Sequence, residues 1–426
     1  MPARSGAARR SSLAAAALVA FAAACSDPEN TRTFRLAASG TQLLVTGPSV
    51  GFQLTEANLA TDVDLVAVHQ EFYGVPWNQF ATNTPPPAEW TAQMFSLAGS
   101  AREAGKEVFL SVSPLNGGRY SLAARTVIVN GSIVSEDGWA APCYDFATAP
   151  DAATWRSAYI RYVEAMVDTF HPRYLNVAIE LNLFLEQCPT AWEGMVDVVN
   201  TAYDAAKSRS PATVVFPSIQ IDHLYGVAPG SCPSGVDAGV CYDQAYARLG
   251  RVKRDRFAIS TYPYLAGFAA PDQVPADWFS RGPARGGERA VIAEAGWLSN
   301  SLVAQTSAGV CLTAVTSDES AEAAYLDLVL SAAERGRMDL VTWISDRDLL
   351  IAPMMTDCGC HLAQEWCTVR DIFRGPPPSG SVDTQLQGEL LLKAFGTMGL
   401  RAYDGTTKPT VYRRWQDARA RSLASN

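Results

Sequence analysis

Two glutamates close apolar segments of the chain, at positions where an unpaired charge is unfavourable. Glu180 ends the segment 174–180, and Glu294 ends the segment 290–294. Burial of a carboxylate without a partner costs free energy, so a glutamate at such a place indicates a specific task. Two carboxyl groups on opposite sides of a sugar ring can cleave a glycosidic bond. One protonates the leaving oxygen, and the other attacks the anomeric carbon or activates water.

The elements that must position this pair follow from the alternation of short apolar segments with helical patterns, which is typical of β/α units. Nearly continuous apolar segments indicate strands that are buried on both faces. Strands are predicted at 64–69, 107–113, 174–180, 213–219, 256–261, 290–294 and 339–344, with a weaker first strand at 50–54; helices are predicted at 90–104, 152–170 and 191–208. No G-x-G-x-x-G turn, the usual mark of an open doubly wound sheet, is present. The sequence therefore predicts an α/β fold, a closed (β/α)₈ TIM barrel, as one domain over residues 34–420.

The carboxyl ends of all strands in such a barrel lie on one face, so the residues that end the strands converge there. Glu180 ends the fourth predicted strand and Glu294 the seventh, which places them across the barrel mouth from each other. The further candidates for substrate binding are polar residues at the strand ends: His69, Glu71, Asn116, Asn182, Tyr262 and Asp346. A serine-hydrolase site and a phosphate site are disfavoured, because neither G-x-S-x-G nor a P-loop occurs.

The ordered set of strand ends resembles clan A of the glycoside hydrolases, whose barrels carry glutamates after strands four and seven. Val291-Ile-Ala-Glu294-Ala-Gly-Trp297 is similar to the nucleophile strand of that clan, and most similar to that of the arabinogalactan endo-β-1,4-galactanases. Tyr262 matches the aromatic residue that contacts the nucleophile. Trp343 matches a tryptophan that ends strand eight and floors the sugar site, and Trp297 is a second candidate platform.

The resemblance implies a retaining glycoside hydrolase that acts on a polysaccharide or oligosaccharide, with Glu294 as nucleophile and Glu180 as acid/base. The clan usually has Asn immediately before the acid/base, and here that position is Ile179. The departure keeps open a catalytically silent barrel that binds glycan at the cell surface. An envelope transglycosylase that uses the same carboxylate pair is a third alternative.

The first residues of the chain predict export. Arg4, Arg9 and Arg10 precede an apolar run at 13–24 that is too short to span a bilayer but suits a signal peptide. The run ends in Phe21-Ala-Ala-Ala-Cys25, which resembles a bacterial lipoprotein cleavage box. We therefore predict a signal peptide at 1–24, a lipidated Cys25 and a polar tether at 25–33. The protein would be held to the cell envelope, at the outer membrane, by lipid alone; an ordinary cleaved signal peptide and secretion are the alternative.

Charge and cysteine content limit the partners. The formal net charge of −9 disfavours nucleic acid and anionic lipid surfaces. The eight cysteines after Cys25 suggest disulfides in an oxidising compartment, and Cys232 with Cys241 is the simplest local pair. Cys358, Cys360 and Cys367 are an alternative zinc cluster, although they lack paired C-x-x-C spacing. We expect no metal or other cofactor, and a monomer whose partner is a carbohydrate substrate.

Overall fold

The computed structural model describes residues 31–46, 49–54, 58–305, 310–349 and 393–424. Nine parallel strand segments form the central sheet, in chain order Arg35–Ser39, Leu65–His69, Glu107–Ser111, Tyr174–Asn176, Val214–Phe216, Ser218–Gln220, Phe257–Thr261, Ala290–Ala295 and Leu340–Trp343. Val214–Phe216 pairs with the fourth strand and Ser218–Gln220 pairs with the sixth. These two segments are halves of one fifth strand, interrupted at Pro217, which has no N–H to donate. The sheet therefore closes as an eight-stranded barrel, and the predicted (β/α)₈ fold is confirmed.

The barrel encloses one of two apolar layers. Its interior is filled by side chains that alternate along the strands: Ala37, Leu65, Ala67, Phe109, Tyr174, Phe216, Ala258, Val291, Ala293 and Leu340. The intervening strand residues face outward and pack against the helices in a larger layer. Burial of both strand faces explains why the strands appear in the sequence as continuous apolar segments.

Helices surround the barrel and connect its strands. They are Leu59–Asp62, Trp77–Thr82, Ala88–Glu103, Ala152–Phe170, Leu181–Gln187, Trp192–Arg209, Ile221–Leu224, Ala238–Leu249, Arg281–Gly286, Glu319–Gly336 and Pro409–Ala420, with 3₁₀ turns at Gln70–Tyr73, Pro263–Ala266 and Pro271–Gln273. Ala152–Phe170 shows why such segments are helical, because its buried residues recur at helical spacing, as in Tyr159, Tyr162 and Met166. No helix within the described ranges is both long and apolar enough to cross a membrane.

The first barrel strand differs from the prediction. Arg35–Ser39 pairs with the eighth strand on one side and with the second on the other. Ser49–Leu54, close to the predicted first strand, instead pairs antiparallel with Thr41–Thr46 as a hairpin. Other two-stranded pairs join Arg125–Val129 to Ser132–Glu136, Leu302–Gln305 to Cys311–Val315, and Ser345–Arg347 to Gly399–Arg401. The prediction was wrong here because the true strand contains the small residues Ala37 and Ala38, which carry a weak apolar signal.

The fold also begins and ends beyond the predicted limits. Thr31–Arg32 pairs with Ser422–Leu423, and the buried Arg32 lies 2.6 Å from Asp64. Residues 31–33 are therefore part of the folded unit and not of a polar tether. Residues 1–30, which include Cys25, lie outside the described residues.

Two disulfides whose cysteines both lie in the described ranges fasten loops at the barrel surface. Cys232–Cys241 confirms the local pairing predicted from the sequence. Cys143–Cys188 joins the long loop after strand three to the helix after strand four, across a sequence separation of 45 residues. Cys358, Cys360 and Cys367, the alternative zinc cluster, lie outside the described residues.

Candidate active site

Glu294 points into the barrel mouth because strand seven contains a bulge. The register between strands six and seven shifts after Ile259, so that Ser260 lies opposite Glu294. Paired residues on neighbouring parallel strands point to the same side, and the hydroxyl of Ser260 reaches the mouth. The extra residue in strand seven thus directs the Glu294 side chain into the mouth, as for Ser260. Only a small part of the Glu294 side chain is exposed there.

Three polar groups surround the Glu294 carboxylate. Tyr262 donates a hydrogen bond of 3.0 Å to Oε2, and His69 Nε2 lies 3.7 Å from Oε1. The His69 distance is too long for a hydrogen bond, so this contact is electrostatic. Burial alone would raise the pKa of Glu294, but His69, Arg119 and Tyr262 together outweigh it and hold the pKa below the ordinary value. Glu294 is therefore kept ionised, as a nucleophile requires.

Glu180 lies after the end of strand four, immediately before the helix Leu181–Gln187. Its backbone is in the left-handed region, with φ 51° and ψ 46°, and its N–H donates to Ser218 Oγ at 2.9 Å. The carboxylate Oε1 accepts a hydrogen bond of 2.8 Å from Ser260, the residue that lies opposite Glu294. Ser260 thus connects the two strands that bring the carboxylates to the same mouth.

The pKa of Glu180 is shifted in the opposite direction. Burial is the largest cause and raises the pKa, and the nearby charges of Glu294 and Glu71 raise it further. Arg119 and the Ser260 hydrogen bond oppose this effect without cancelling it. A carboxyl group with a raised pKa, beside one with a lowered pKa, is the arrangement that assigns acid and base roles in carboxylate enzymes.

Arg119 is the site residue that the sequence analysis missed. It belongs to the loop after strand three, has a positive φ of 59°, and is buried. Its Nη1 donates to Glu71 at 2.7 Å, and its Nε donates to Glu180 Oε2 at 3.3 Å. The adjacent Gly117 and Gly118 indicated a tight turn, but no sequence pattern indicated where this side chain points. Because Arg119 is shared by two carboxylates, it neutralises Glu180 only in part.

Among the predicted binding residues, His69, Glu71 and Tyr262 are brought together with the glutamate pair. Asn182 and Asn116 lie near the mouth but are used to hold loops. Asn182 exchanges two hydrogen bonds with the backbone of Gln220, at 2.8 and 2.9 Å. Asn116 Oδ1 accepts from the N–H groups of Tyr120 and Ser121, both at 3.2 Å. In these positions their polar groups support the backbone of the site.

The prediction that Trp297 and Trp343 offer open sugar platforms was wrong. Both side chains have 0% relative exposure and pack on either side of Tyr325. Trp297 donates its indole N–H to Ser317 Oγ, and Trp343 donates its own to the backbone oxygen of Met398. An indole with no exposed face cannot stack on a sugar. These two rings instead pack behind strands seven and eight and support them.

Asp346 was also wrongly assigned to the mouth. It lies on the short strand after the eighth barrel strand and is fully buried next to Asp62. Asp62 in turn accepts hydrogen bonds from Arg401 at 2.8 Å and from Tyr412 at 2.7 Å. Burial is the largest cause that raises the pKa of Asp346 to about 7, and the neighbouring Asp62 charge adds to it. Asp62 fastens the last helix to the barrel through Tyr412, and Asp346 is buried beside it without facing a substrate.

Asp222 supports the site from behind. It follows strand five, is fully buried, and its Oδ2 accepts from the N–H of Tyr262 at 3.3 Å. Burial raises its pKa to about 7. Next to it, His223 contacts Glu186 at 2.8 Å, and both side chains are partly exposed.

No group of three or more His, Cys, Asp or Glu side chains within the described ranges is arranged to hold a metal ion.

Comparison with known proteins finds similarity in structure alone. No protein-family model matches the chain, and no curated protein matches its sequence. The exo-β-1,4-mannosidase Op5Man5 from Opitutaceae bacterium strain TAV5 superposes with a TM-score of 0.53 at 14% identity, covering 93% of this chain and 61% of the mannosidase chain. The β-glycosidase BGL167 gives a TM-score of 0.50 at 12% identity, covering 87% of this chain and 86% of the other. The β-glucosidase 1317 gives 0.50 at 12% identity, with 87% of each chain covered. At these identities the comparisons show a shared fold: the chain folds as the (β/α)₈ barrel found in these glycosidases.

Proposed function

We propose that this protein is a retaining glycoside hydrolase, with Glu294 as nucleophile and Glu180 as acid/base. The observation that carries the proposal is the opposite pKa shift of two buried carboxylates at the same barrel mouth. The ionised Glu294 is held by Tyr262 and His69, whereas Glu180 is favoured in its protonated form by burial and by the neighbouring negative charges. The reaction needs one group of each kind.

The reaction proceeds by two displacements at the anomeric carbon. Glu294 attacks that carbon while Glu180 gives its proton to the departing oxygen, so the glycosidic bond breaks as the glycosyl–enzyme ester forms. Glu180, now ionised, removes a proton from water, which attacks the same carbon and releases Glu294. Two inversions restore the original anomeric configuration. Arg119 favours the ionised form of Glu180 that is present between the two steps.

The glycan is proposed to be β-linked. The superposed structures are named as an exo-β-1,4-mannosidase, a β-glycosidase and a β-glucosidase, and the sequence around Glu294 resembles that of endo-β-1,4-galactanases. We therefore propose β-1,4-linked mannan, glucan and galactan as the first substrates to test. If an acceptor sugar replaces water in the second step, the same pair performs transglycosylation.

A catalytically silent glycan-binding protein is the second candidate, and two observations favour it. Arg119 contacts Glu180 at 3.3 Å, which opposes the protonated form, and the buried Ile179 stands where the related clan usually has asparagine. In a silent protein the barrel mouth would bind oligosaccharides without cleaving them. Equal behaviour of the wild type and of Glu294→Gln in every assay would favour this candidate.

The decisive experiment measures reducing-sugar release from a panel of β-linked polysaccharides and oligosaccharides. We expect wild-type protein to cleave at least one of them, and Glu294→Gln to lose about a thousandfold or more in kcat, since it lacks the attacking group. Glu319→Gln is the matched control, because Glu319 lies at the start of an outer helix. Proton NMR of the first product anomer tests retention, and an inverted anomer would contradict the double displacement.

We also propose that the protein is exported and held to the bacterial envelope through lipid on Cys25. The support is the sequence of residues 1–25 alone. Labelling of cells with a radioactive or clickable fatty acid should mark the wild type and not Cys25→Ser. Label on both proteins, or on neither, would contradict lipidation at this residue.

A further inference from the structure

One aromatic ring near the mouth remains uncovered. Tyr120 directly follows Arg119 in the loop after strand three, and its relative exposure is 41%. Its ring rests on Gly118, where an added Cβ would lie only 2.5 Å from the Cε1 atom of Tyr120. The glycine thus allows the ring to lie against the backbone, while much of the tyrosine stays exposed to solvent.

The loop that carries this ring is fixed at several points. Asn116 Oδ1 accepts from the N–H of Tyr120 at 3.2 Å, and the N–H of Cys143 donates to the Tyr120 carbonyl at 2.7 Å. Gln187 Nε2 donates to the Gly118 carbonyl at 2.9 Å. The disulfide Cys143–Cys188 fastens the same region to the helix that begins after Glu180. The backbone that carries the ring is therefore held in place before any ligand arrives, which lowers the entropy cost of binding.

The position of the ring relates it to the acid/base. Its neighbour Arg119 contacts Glu180, and the glycine beneath it is bonded to Gln187 at the far end of the helix Leu181–Gln187. At the usual helical rise, the seven residues from Glu180 to Gln187 extend about 10 Å. Tyr120 thus belongs to the part of the mouth next to Glu180, which in the proposed mechanism protonates the departing oxygen.

Polar groups suited to sugar hydroxyls are bound to the same loop. Gln187 is exposed, and its Nε2 is used by Gly118, which leaves its amide oxygen as an acceptor. Asp137 is also exposed, and its carboxylate accepts from the side chain of Asn116 at 3.2 Å. An aromatic face with carboxylate and amide oxygens on the same loop region matches a pyranose, whose C–H face is apolar and whose rim carries hydroxyl donors.

We propose that Tyr120, with Gln187 and Asp137 from the same loop region, forms a subsite for a sugar of the leaving group. The proposal rests on the function proposed above, since it uses Glu180 as acid/base to define the leaving-group side. The subsite favours substrates that extend beyond the cleaved bond. It also provides a place for an acceptor sugar when transglycosylation replaces hydrolysis.

The test compares two substrates with the same glycone. One is a β-linked tri- or tetrasaccharide, and the other is the corresponding glycosyl fluoride, whose leaving group has no ring. The measured quantity is kcat/KM for the oligosaccharide divided by kcat/KM for the fluoride. For Tyr120→Ala we expect this ratio to fall about three- to tenfold, which is the usual contribution of one aromatic contact. Tyr120→Phe should keep the wild-type ratio. Gly118→Ala should lower it with the tyrosine still present, because the added Cβ displaces the ring.

Phe95→Ala is the matched control, since Phe95 is an exposed aromatic, at 57%, on the outer helix Ala88–Glu103. An unchanged ratio in Tyr120→Ala, or an equal fall in Phe95→Ala, would overturn the subsite. If the wild type hydrolyses no substrate, calorimetric titration with mannotetraose, cellotetraose and β-1,4-galactotetraose decides. Binding weakened about three- to tenfold in Tyr120→Ala would then support the subsite while the hydrolase proposal fails. Absence of any binding would overturn both.

Discussion

The hydroxyl of Tyr262 donates a hydrogen bond to Glu294 Oε2 at 3.0 Å, and the backbone N–H of Tyr262 donates to the buried Asp222. Asp222 thus fixes the backbone from which the Tyr262 side chain extends to Glu294. A charge-assisted hydrogen bond of this kind stabilises the ionised carboxylate more than the protonated one. In the proposed mechanism, Tyr262 thereby helps to set the pH at which Glu294 becomes an effective nucleophile.

Tyr262→Phe should raise the pKa of Glu294, because the ionised form loses a hydrogen bond. The acid limb of the kcat/KM profile would then move to higher pH, and kcat/KM would fall about tenfold or more. Tyr264→Phe is the control, since Tyr264 is equally buried but donates to the backbone oxygen of Ala394 at 2.6 Å. If both variants shift the acid limb equally, the shift does not come from the Glu294 contact.

The two glutamates should produce a bell-shaped dependence of kcat/KM on pH. Activity needs Glu294 ionised and Glu180 protonated, and the pKa of Glu294 is lowered while that of Glu180 is raised. Glu180→Gln should remove the basic limb and lower kcat/KM about a hundred- to ten-thousandfold on natural substrates. Substrates with highly acidic leaving groups need no proton and should lose much less. A basic limb that persists in Glu180→Gln would assign the acid role to another residue.

Arg119 and Glu71 should move the basic limb in opposite directions. Arg119 lowers the pKa of Glu180 and Glu71 raises it. Removal of the cation in Arg119→Met should therefore shift the basic limb to higher pH, and Glu71→Gln should shift it to lower pH. The kcat/KM profiles measure both shifts. Thermal unfolding of each variant checks that the barrel remains folded, and shifts of the same sign would contradict the shared-arginine arrangement.

The buried Asp346 should make stability depend on pH. Its pKa is about 7 in the fold, well above the ordinary value for aspartate, so the folded state binds this proton more tightly than the unfolded chain. The resulting stabilisation is present at acidic pH and is lost as pH rises from about 4 to about 7. Asp222, also at about 7, acts in the same direction.

The unfolding temperature should therefore decline as the pH rises over this range. Asp346→Asn should make the decline smaller by a few degrees, which corresponds to about 1–2 kcal/mol in the free energy of unfolding. Asp417→Asn is the control, because Asp417 is exposed on the last helix. Calorimetry at several pH values measures the effect. An Asp346→Asn curve parallel to that of the wild type would mean that this carboxyl does not titrate as described.

The barrel was predictable from the sequence because its strands are buried on both faces. Strands two to eight appear as continuous apolar segments, and the helix Ala152–Phe170 was predicted to the residue. The exception is the first strand, whose alanines give little apolar signal. Glu180 and Glu294 were identifiable because a glutamate at the end of such a segment is conspicuous.

The rest of the site depends on three-dimensional contacts that a linear pattern does not contain. Arg119 reaches Glu180 from a loop whose shape depends on its positive φ and on the disulfide Cys143–Cys188. Trp297 and Trp343 have the same local sequence signal whether they face a pocket or the core. Asp346 was misplaced because the short strand Ser345–Arg347 turns its side chain toward Asp62.

The left-handed backbone of Glu180 has an evolutionary consequence. At φ 51°, a residue with a Cβ is less stable than glycine by about 1 kcal/mol or more. The buried carboxyl adds its own desolvation cost, which the contacts with Arg119 and Ser260 offset only in part. Selection for thermostability alone should thus enrich Glu180→Gly and extinguish activity, whereas persistence of glutamate in descendants of this protein would record continuous selection on its chemistry.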